Sequence, residues 1–224
     1  MIRASFVAAV TLEDLLDPGA GAWRRAPVEA VRLIGTPLGM QPTEAIRVAW
    51  RDRPIGAVDR IDVAALHTGR ALALRLEWAD PEENLRTGDN DQFPDAAAVL
   101  FPTVENAPLV TMGTPGMSVT AWYWRADEEG VARQVVAEGI GTSRTVDREL
   151  VRARGVWKEG RWAVVLARAL QVEAPEPVVR LRPGARLPMG VAVWEGGHGE
   201  RGGIKAFSPG WPQLELAPAA GARR

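Results

Sequence analysis

The sequence predicts an all-β protein, an antiparallel β-sandwich of the jelly-roll type with long loops. Beyond residue 40, most of the chain consists of apolar segments of strand length, and several of them alternate with period two. Turn sequences such as "HTG", "KEG" and "RPG" separate these segments. No helical segments alternate with the strands, which favours a sandwich over a parallel α/β sheet.

The alternation is clearest in "RALALRLEW", where Leu72, Leu74 and Leu76 fall on one face. The segment "VWKEGRW" predicts a β-hairpin with "KEG" at its tip. The predicted strands are residues 45–50, 60–67, 70–78, 95–102, 117–126, 130–141, 150–157, 161–170 and 189–196.

The first forty residues are predicted to be irregular or helical and to pack on the sandwich. A short capped helix is expected to begin at Thr11 and to end at Pro18. No internal repeat and no linker interrupts the chain. We therefore expect residues 1–224 to form a single domain, a length that is normal for one sandwich.

Composition excludes several functions. The net charge of −1 provides no basic field for nucleic acid, and no apolar segment is long enough to span a membrane. The chain has no cysteine, so it cannot form disulfides, iron–sulfur clusters, thiolate zinc sites or the Cys-x-x-Cys-His attachment of covalent haem. The early apolar segment "SFVAAV" is too short for a signal peptide core, which leaves the compartment open.

Hydrolytic chemistry finds little support. No Gly-x-Ser-x-Gly, Walker or dinucleotide-binding motif is present, and His67 is interpreted as a turn residue before Thr68-Gly69. The loop 79–94 carries the acidic cluster "DPEENLRTGDND". Calcium binding by this cluster is one interpretation, but it does not fit the EF-hand spacing, and a solvated loop is the simpler one.

Lys205 is an unusual residue for this chain. Of the 27 basic residues, all except Lys158 and Lys205 are arginine. Arginine stays protonated and has no lone pair to give, whereas a buried lysine can lose its proton and become a ligand or a base. Deprotonation at pH 7 costs about 4–5 kcal/mol from the ordinary pKa, and a metal bond in a dry pocket could offset this. An exposed lysine in a glycine loop is the simpler alternative.

Two methionines flank the turn "GTPG" before the strand that contains Trp122, Tyr123 and Trp124. Met117 begins this strand, and packing in the core explains it. Met112 lies between Thr111 and Gly113 at a loop edge, where packing explains it less well. A thioether there suits a soft or borderline metal such as haem iron.

Six segments together resemble a known family. They are "VAALHTGRALALRLEWAD", "DQFPDAAAVLFP", "MGTPGMSVTAWYWRAD", "ARGVWKEGRWAVVLARAL", "GVAVWEGGHGERGGIKAFSPGW" and "LELAP". In this order they resemble the haem-binding γ subunit of the ethylbenzene dehydrogenase and dimethylsulfide dehydrogenase type of complex iron–sulfur molybdoenzymes.

The resemblance implies a β-sandwich that holds one non-covalent haem b. The family's axial ligands correspond to Met112 and Lys205, and Met117 and His198 are the rivals for these two positions. With both axial positions filled by protein, the haem transfers electrons and does no catalysis. Trp122, Tyr123 and Trp124 are expected to line or support the pocket, with the two tryptophans on one face of their strand and Tyr123 on the other. Arg125, Arg152 and Arg201 are candidate partners of the haem propionates.

The resemblance also implies partners. Electrons would pass between an iron–sulfur β subunit, which serves a molybdenum-containing α subunit, and an external carrier such as a cytochrome c. The family is mostly periplasmic, so an extracytoplasmic location is expected, with the cytoplasm as the alternative. Two other functions stay open. One is a carbohydrate-binding β-sandwich module, because the chain has nine tryptophans. The other is a structural subunit that has lost its haem.

Overall fold

The computed structural model describes residues 1–88, 91–174 and 178–219 and consists mainly of β-strands. The strands are β1 (Ile2–Phe6), β2 (Val28–Arg32), β3 (Ile34–Gly35), β4 (Arg60–His67), β5 (Ala71–Ala79), β6 (Ala96–Pro102), β7 (Val119–Arg125), β8 (Val131–Ala137), β9 (Arg144–Lys158), β10 (Arg161–Ala169), β11 (Arg186–Pro188), β12 (Gly190–Trp194), β13 (Ala206–Phe207) and β14 (Gln213–Leu216). Two short α-helices, α1 (Leu12–Leu16) and α2 (Glu44–Ala49), and two 3-10 helices, Gly21–Arg25 and Leu38–Met40, complete the described secondary structure.

All named strands belong to one large sheet. Its order is β11-β14-β1-β4-β5-β10-β9-β8-β7-β6-β12-β13-β3, and β2 pairs with β4 beside this path. Neighbouring strands are antiparallel except β1, which runs parallel to both β14 and β4. The predicted all-β class is confirmed, and antiparallel pairing holds everywhere except around β1.

The main hydrophobic core draws on strands from the whole length of the sheet, because the sheet curls over on itself. Leu72, Leu74 and Leu76 of β5 are fully buried in this core, as their alternation predicts. Each such leucine contributes about 1.5–3 kcal/mol to the free energy of folding. Across the core from them lie Trp122 and Trp124 of β7.

A smaller cluster covers the other face of β6, β7 and β12. It contains Leu109, Met112 and Met117 from the segment between β6 and β7, together with Tyr123 and Trp194. A third cluster packs α1 against β4, β5 and β10. The sheet therefore buries apolar side chains on both faces, and the face of β7 that carries Tyr123 is where the candidate site lies.

The segment 45–50 was predicted as a strand, and this is wrong. Residues Glu44–Ala49 form α2. The hydroxyl of Thr43 caps this helix by accepting a hydrogen bond from the Ile46 N–H at 3.3 Å, and Glu44 lies in its first turn. Alternation over six residues does not separate a strand from one and a half helical turns, whereas the capping threonine does.

The first forty residues are more regular than their sequence indicates. The helix predicted after Thr11 is present as α1, with a capping box between Thr11 and Asp14. The same region also supplies β1, β2 and β3 to the sheet. The partners of β1 are β4 and β14, which lie far along the chain, so local sequence carried no signal for the pairing.

The hairpin predicted at "VWKEGRW" is confirmed. Strands β9 and β10 pair with Lys158 opposite Arg161. Glu159 and Gly160 at the tip both have positive φ, 51° and 73°, which is the two-residue type I′ turn. Among the described residues, no helix has the length and apolar character needed to cross a membrane.

Candidate functional site

Met112 and Lys205 lie in direct contact. The Lys205 Nζ donates a hydrogen bond to the Met112 Sδ at 3.3 Å, across a separation of 93 residues in the chain. Lys205 immediately precedes β13, and its backbone exchanges hydrogen bonds with Thr36. The structure thus brings together the two residues that sequence reasoning had selected separately.

The backbone at Met112 has an uncommon conformation. Its φ is 57°, and the following Gly113 has a φ of 89°. The left-handed region costs a residue with a side chain roughly 1–2 kcal/mol, so the surrounding contacts must hold it there. The Met112 N–H donates to the Leu109 carbonyl at 2.9 Å, and the Met112 carbonyl accepts from the Gly139 N–H at 3.1 Å. These bonds fix the turn that presents the thioether to Lys205.

Lys205 is a buried cation without a matching anion. Its side chain is 4% exposed, and no carboxylate in the described ranges forms an ion pair with it. Burial lowers the pKa of Lys205 from 10.5 to about 8, which corresponds to roughly 3 kcal/mol against the charged form. The Trp194 ring centroid lies 5.4 Å from Nζ and supplies a weak cation–π contact. Burial therefore makes loss of the ammonium proton, which frees a lone pair on Nζ, easier than it is for an exposed lysine.

A cavity of about 260 Å³ adjoins Met112. We call it the Met112 cavity, and its walls are Ala98, Leu100, Met112, Ala121, Tyr123, Arg133, Val135, Ile140, Gly141, Ser143, Arg144, Thr145, Trp194, Gly202 and Gly203. The sheet forms the floor, and the turn after β8 and the glycines before Lys205 form the sides. Lys205 is not one of these wall residues, but its Nζ contacts two of them, Met112 and Trp194.

The register of the sheet explains why a cavity exists here. Ala98 pairs with Tyr123, and Tyr123 pairs with Arg133, so the three side chains form one row across β6, β7 and β8. Ala121 lies in the next row of the same face, opposite Val135. Alanines at these floor positions leave room above the sheet that larger side chains would fill.

Trp122 and Trp124, which were expected to line or support the haem pocket, do not line this cavity. Successive residues of a strand point to opposite faces, and both tryptophans point into the main core. There the Trp124 ring packs at 6.4 Å from Trp78 and 5.0 Å from Trp162. Tyr123 takes the wall position instead, and its ring contacts Trp194 at 5.1 Å.

The rival ligands lie elsewhere. Met117 packs in the cluster around the Met112 segment and pairs with Thr114 through the backbone, but it does not line the cavity. The His198 ring contacts Trp50, and its Nε2 lies 2.8 Å from the Pro54 carbonyl. Met117, the rival of Met112, has no described contact with the Lys205 amine, and His198, the rival of Lys205, does not line the Met112 cavity.

The arginines proposed for the propionates make other contacts. Arg125 forms an ion pair with Asp127 at 2.6 Å, Arg152 pairs with Glu13, and the Arg201 guanidinium lies 4.0 Å from the Phe93 ring centroid. Two other arginines, Arg133 and Arg144, line the Met112 cavity.

Sequence reasoning missed Trp194, Arg133 and Arg144 as cavity residues. It did name Tyr123, which alternation places on the face opposite the two buried tryptophans. The position of Arg133 follows from strand register, and that of Arg144 from the turn after β8, neither of which a single sequence states.

The family model for ethylbenzene dehydrogenase matches residues 20–148 and 139–206. The chain belongs to the ethylbenzene dehydrogenase family. The family resemblance inferred from the sequence is thereby confirmed, and both Met112 and Lys205 lie within the matched residues.

Three curated relatives of this family member support the assignment. The chain is 35% identical to the chlorate reductase subunit gamma of Ideonella dechloratans over 91% of this chain and 80% of the relative. It is 29% identical to the "Putative respiratory nitrate reductase heme subunit ORF7" of Haloferax mediterranei, over 90% and 68%. It is 28% identical to the dimethylsulfide dehydrogenase subunit gamma of Rhodovulum sulfidophilum, over 91% and 76%.

The fold is also similar to a solved carbohydrate-binding module. The family 9 module of Caldicellulosiruptor kristjanssonii, in complex with glucose, matches with a TM-score of 0.51 and 11% identity, over 100% of this chain and 98% of that one. At this identity the likeness concerns the fold, and it supports the β-sandwich architecture.

Proposed function

We propose that this protein is an electron-transfer subunit that binds one non-covalent haem b, with Met112 and Lys205 as the axial ligands. The observation that carries the proposal is the 3.3 Å contact between the Lys205 Nζ and the Met112 Sδ beside a cavity. The contact between a buried amine without an anion and a thioether held by an uncommon backbone conformation adds little to the stability of the fold. Both become useful as a pair of metal ligands.

The residues present fit a haem in their chemistry. The Met112 cavity offers aromatic walls in Tyr123 and Trp194. Its arginines, Arg133 and Arg144, have guanidinium groups that suit carboxylates, although Arg133 already pairs with Glu128. Cysteine is absent, so the haem would be held without covalent attachment.

The fit also requires movement. Two metal–ligand bonds laid end to end span about 4 Å, so the two ligand atoms must separate before an iron lies between them. The cavity volume of about 260 Å³ is just below the range of roughly 300–1,000 Å³ for small-molecule pockets. The turn containing Ile140 and Gly141 covers the cavity, and Gly139 and Gly141 both have positive φ. This turn is the element that we expect to move outward.

When bound, the haem would supply one-electron oxidation and reduction. Met112 and Lys205 would hold it and occupy both axial positions, which leaves no position for substrate and makes the subunit non-catalytic. The buried surroundings of Lys205 lower the pKa of its amine, which makes the deprotonated form needed for ligation easier to reach. As a ligand, the thioether of Met112 would favour the reduced form of the iron and so raise the potential.

The proposed partners follow from the family. The relatives include γ subunits of chlorate reductase and dimethylsulfide dehydrogenase and a nitrate reductase heme subunit. Because this chain has no cysteine for an iron–sulfur cluster, the clusters would belong to a β subunit, next to a molybdenum-containing α subunit. We propose that the haem relays electrons between that β subunit and an external carrier such as a cytochrome c, in the periplasm or another extracytoplasmic compartment.

A carbohydrate-binding function has weaker support. Sugar-binding modules present exposed aromatic rings, and seven of the nine tryptophans here are buried. The other two, Trp157 and Trp211, are partly buried, and the indole N–H of each donates to a backbone carbonyl at 3.1 Å.

The test is a titration of the purified full-length chain with haem, followed by absorption spectroscopy, with cellotriose binding measured in parallel by calorimetry. The proposal predicts saturation at one haem per chain and a six-coordinate low-spin spectrum before and after reduction by dithionite. Absence of haem binding together with cellotriose binding would support the sugar module. Absence of both would indicate a structural subunit, and either outcome would overturn the proposal.

A further inference from the structure

Three buried carboxylates meet on the side of the sheet where the loop after β5 returns. Asp80 follows β5, Asp95 precedes β6, and Glu195 follows β12. One carboxylate oxygen from each lies within 4.8 Å of those of the other two. Asp80 and Asp95 are fully buried, and Glu195 is 8% exposed. Sequence reasoning had treated Asp80 as part of an acidic loop, and Asp89 of that loop lies outside the described residues.

This cluster has no compensating positive charge. No ion pair joins any of the three carboxylates to a lysine, arginine or histidine in the described parts of the chain. Burial, and then the charge on Asp95, raises the pKa of Asp80 to about 7, and burial also raises the pKa values of Asp95 and Glu195. Buried charges in proteins are normally paired or coordinate a metal.

An orphaned amide oxygen points to the same place. The Asn84 Oδ1 is fully buried and accepts no hydrogen bond within the described structure. A Cβ built on Gly197 would lie 3.1 Å from this oxygen and 2.9 Å from the Glu195 Oε1, so the two acceptors lie close to each other beside Gly197. The Asn84 N–H donates to the Asp95 Oδ2 at 2.9 Å, which anchors the residue to the cluster. An unpaired buried acceptor among carboxylates calls for a positive ligand.

Neutral donors hold the carboxylates in place. The Trp162 indole donates to the Asp95 Oδ2 at 2.9 Å, and the Trp78 indole donates to the Asp80 Oδ2 at 3.3 Å. The Glu195 carboxylate accepts from the N–H groups of Gly197 and His198. These bonds fix the orientation of each carboxylate and leave further lone pairs free, since an ionised carboxylate can accept about four hydrogen bonds.

We propose that the three carboxylates and the amide oxygen bind one calcium ion. All four donors are oxygen, which hard cations prefer. Calcium–oxygen bonds of about 2.3–2.6 Å allow two ligands to lie up to about 5 Å apart, and the observed spacing within 4.8 Å fits this limit. Magnesium demands a more regular octahedron and usually keeps several waters, so a buried protein cage suits it less. The ion would fasten both ends of the loop after β5 to the end of β12.

The test uses terbium, which replaces calcium and emits when excited through nearby tryptophan. Trp78 and Trp162 both hydrogen-bond to proposed ligands, so they serve as built-in sensitisers. The chelator-treated full-length chain, without haem, is titrated with terbium and then with calcium. The proposal predicts saturable emission at one ion per chain that calcium reverses. It also predicts a rise in the melting temperature of about 5–10 °C at calcium concentrations near 100 times Kd.

Variants identify the site. Glu195→Gln and Asn84→Ala should each weaken terbium binding at least about tenfold, because each removes one of four protein ligands. The control is Glu82→Gln, an exposed residue of the same loop whose side chain lies outside the cluster. Unaltered binding in both ligand variants would overturn the proposal. So would an absence of emission together with a melting temperature indifferent to calcium, since the carboxylates would then be balanced by protons. Because haem takes no part in this experiment, its failure leaves the proposed function intact.

Discussion

The amine of Lys205 and the thioether of Met112 touch at 3.3 Å, although each comes from a different loop and neither has another described side-chain hydrogen-bond partner. Lys205 enters from the glycine-rich segment before β13, and Met112 from the turn before β7. This contact offers a physical reason for lysine at position 205, in a chain where all but two of the 27 basic residues are arginine.

Replacement of Lys205 by arginine separates charge from ligation. Lys205→Arg keeps a cation of similar length but offers no lone pair, so we expect the haem-loaded protein to lose its six-coordinate low-spin spectrum. The matched control is Lys158→Arg, which changes the other lysine, whose side chain is 76% exposed. Absorption spectra of both loaded variants measure the effect. A Lys205→Arg variant with the parent spectrum would exclude this lysine as a ligand.

The two methionines give a second matched pair. Met112→Ala removes the thioether that contacts Lys205 and should yield a high-spin or haem-free protein. Met117→Ala removes a methionine of the same hydrophobic cluster that lies outside the cavity, and its spectrum should stay low-spin. The same spectra, recorded at equal haem loading, measure both. The reverse result would identify Met117 as the ligand.

A larger side chain on the sheet beneath the Met112 cavity would reduce the cavity volume without removing either proposed ligand. Ala98→Leu projects into the Met112 cavity and should weaken haem binding at least about tenfold, while the melting temperature of the haem-free chain changes little. Ala97→Leu, on the other face of β6, enters the main core and should cost about 1–3 kcal/mol of stability. Haem titration and urea unfolding distinguish the two. Equal haem affinity in Ala98→Leu and wild type would place the haem elsewhere.

The turn after Met112 depends on glycine. Gly113 has a φ of 89°, and a Cβ there would lie 2.7 Å from the Met117 carbonyl oxygen and 2.9 Å from that of Ala137. Gly116 has a similar φ of 79° with nothing within 4 Å. Gly113→Ala should therefore destabilise the chain by about 1–3 kcal/mol more than Gly116→Ala, as urea unfolding can show. Equal losses would mean that the backbone conformation alone, and not the contact, determines the cost.

His67 predicts a pH dependence of stability. It is fully buried at the end of β4, and burial lowers the pKa of its imidazole. The unfolded chain therefore binds the proton more readily, so this residue makes stability fall as pH falls through the unfolded pKa of about 6.5. The difference in unfolding free energy between wild type and His67→Gln should shrink from pH 7.5 to pH 5.5. A difference that is constant or grows toward low pH would contradict this.

The sequence anticipated the strands between residues 60 and 170 because apolar alternation is a local signal. It missed β1, whose partners are distant, and it misassigned α2, whose capping threonine outweighs six alternating residues. At the site, the scarcity of lysine marked Lys205, and its loop position marked Met112. Alternation placed Trp122 and Trp124 on one face of their strand and Tyr123 on the other, but it could not state that the two tryptophans face the main core.

A crystal structure of the haem-loaded protein tests the central claim most directly. The account predicts one haem in the Met112 cavity, with the Lys205 Nζ and the Met112 Sδ bound to its iron from opposite sides. An iron bound by other side chains, or a Lys205 amine directed into solvent while the haem is present, would contradict it.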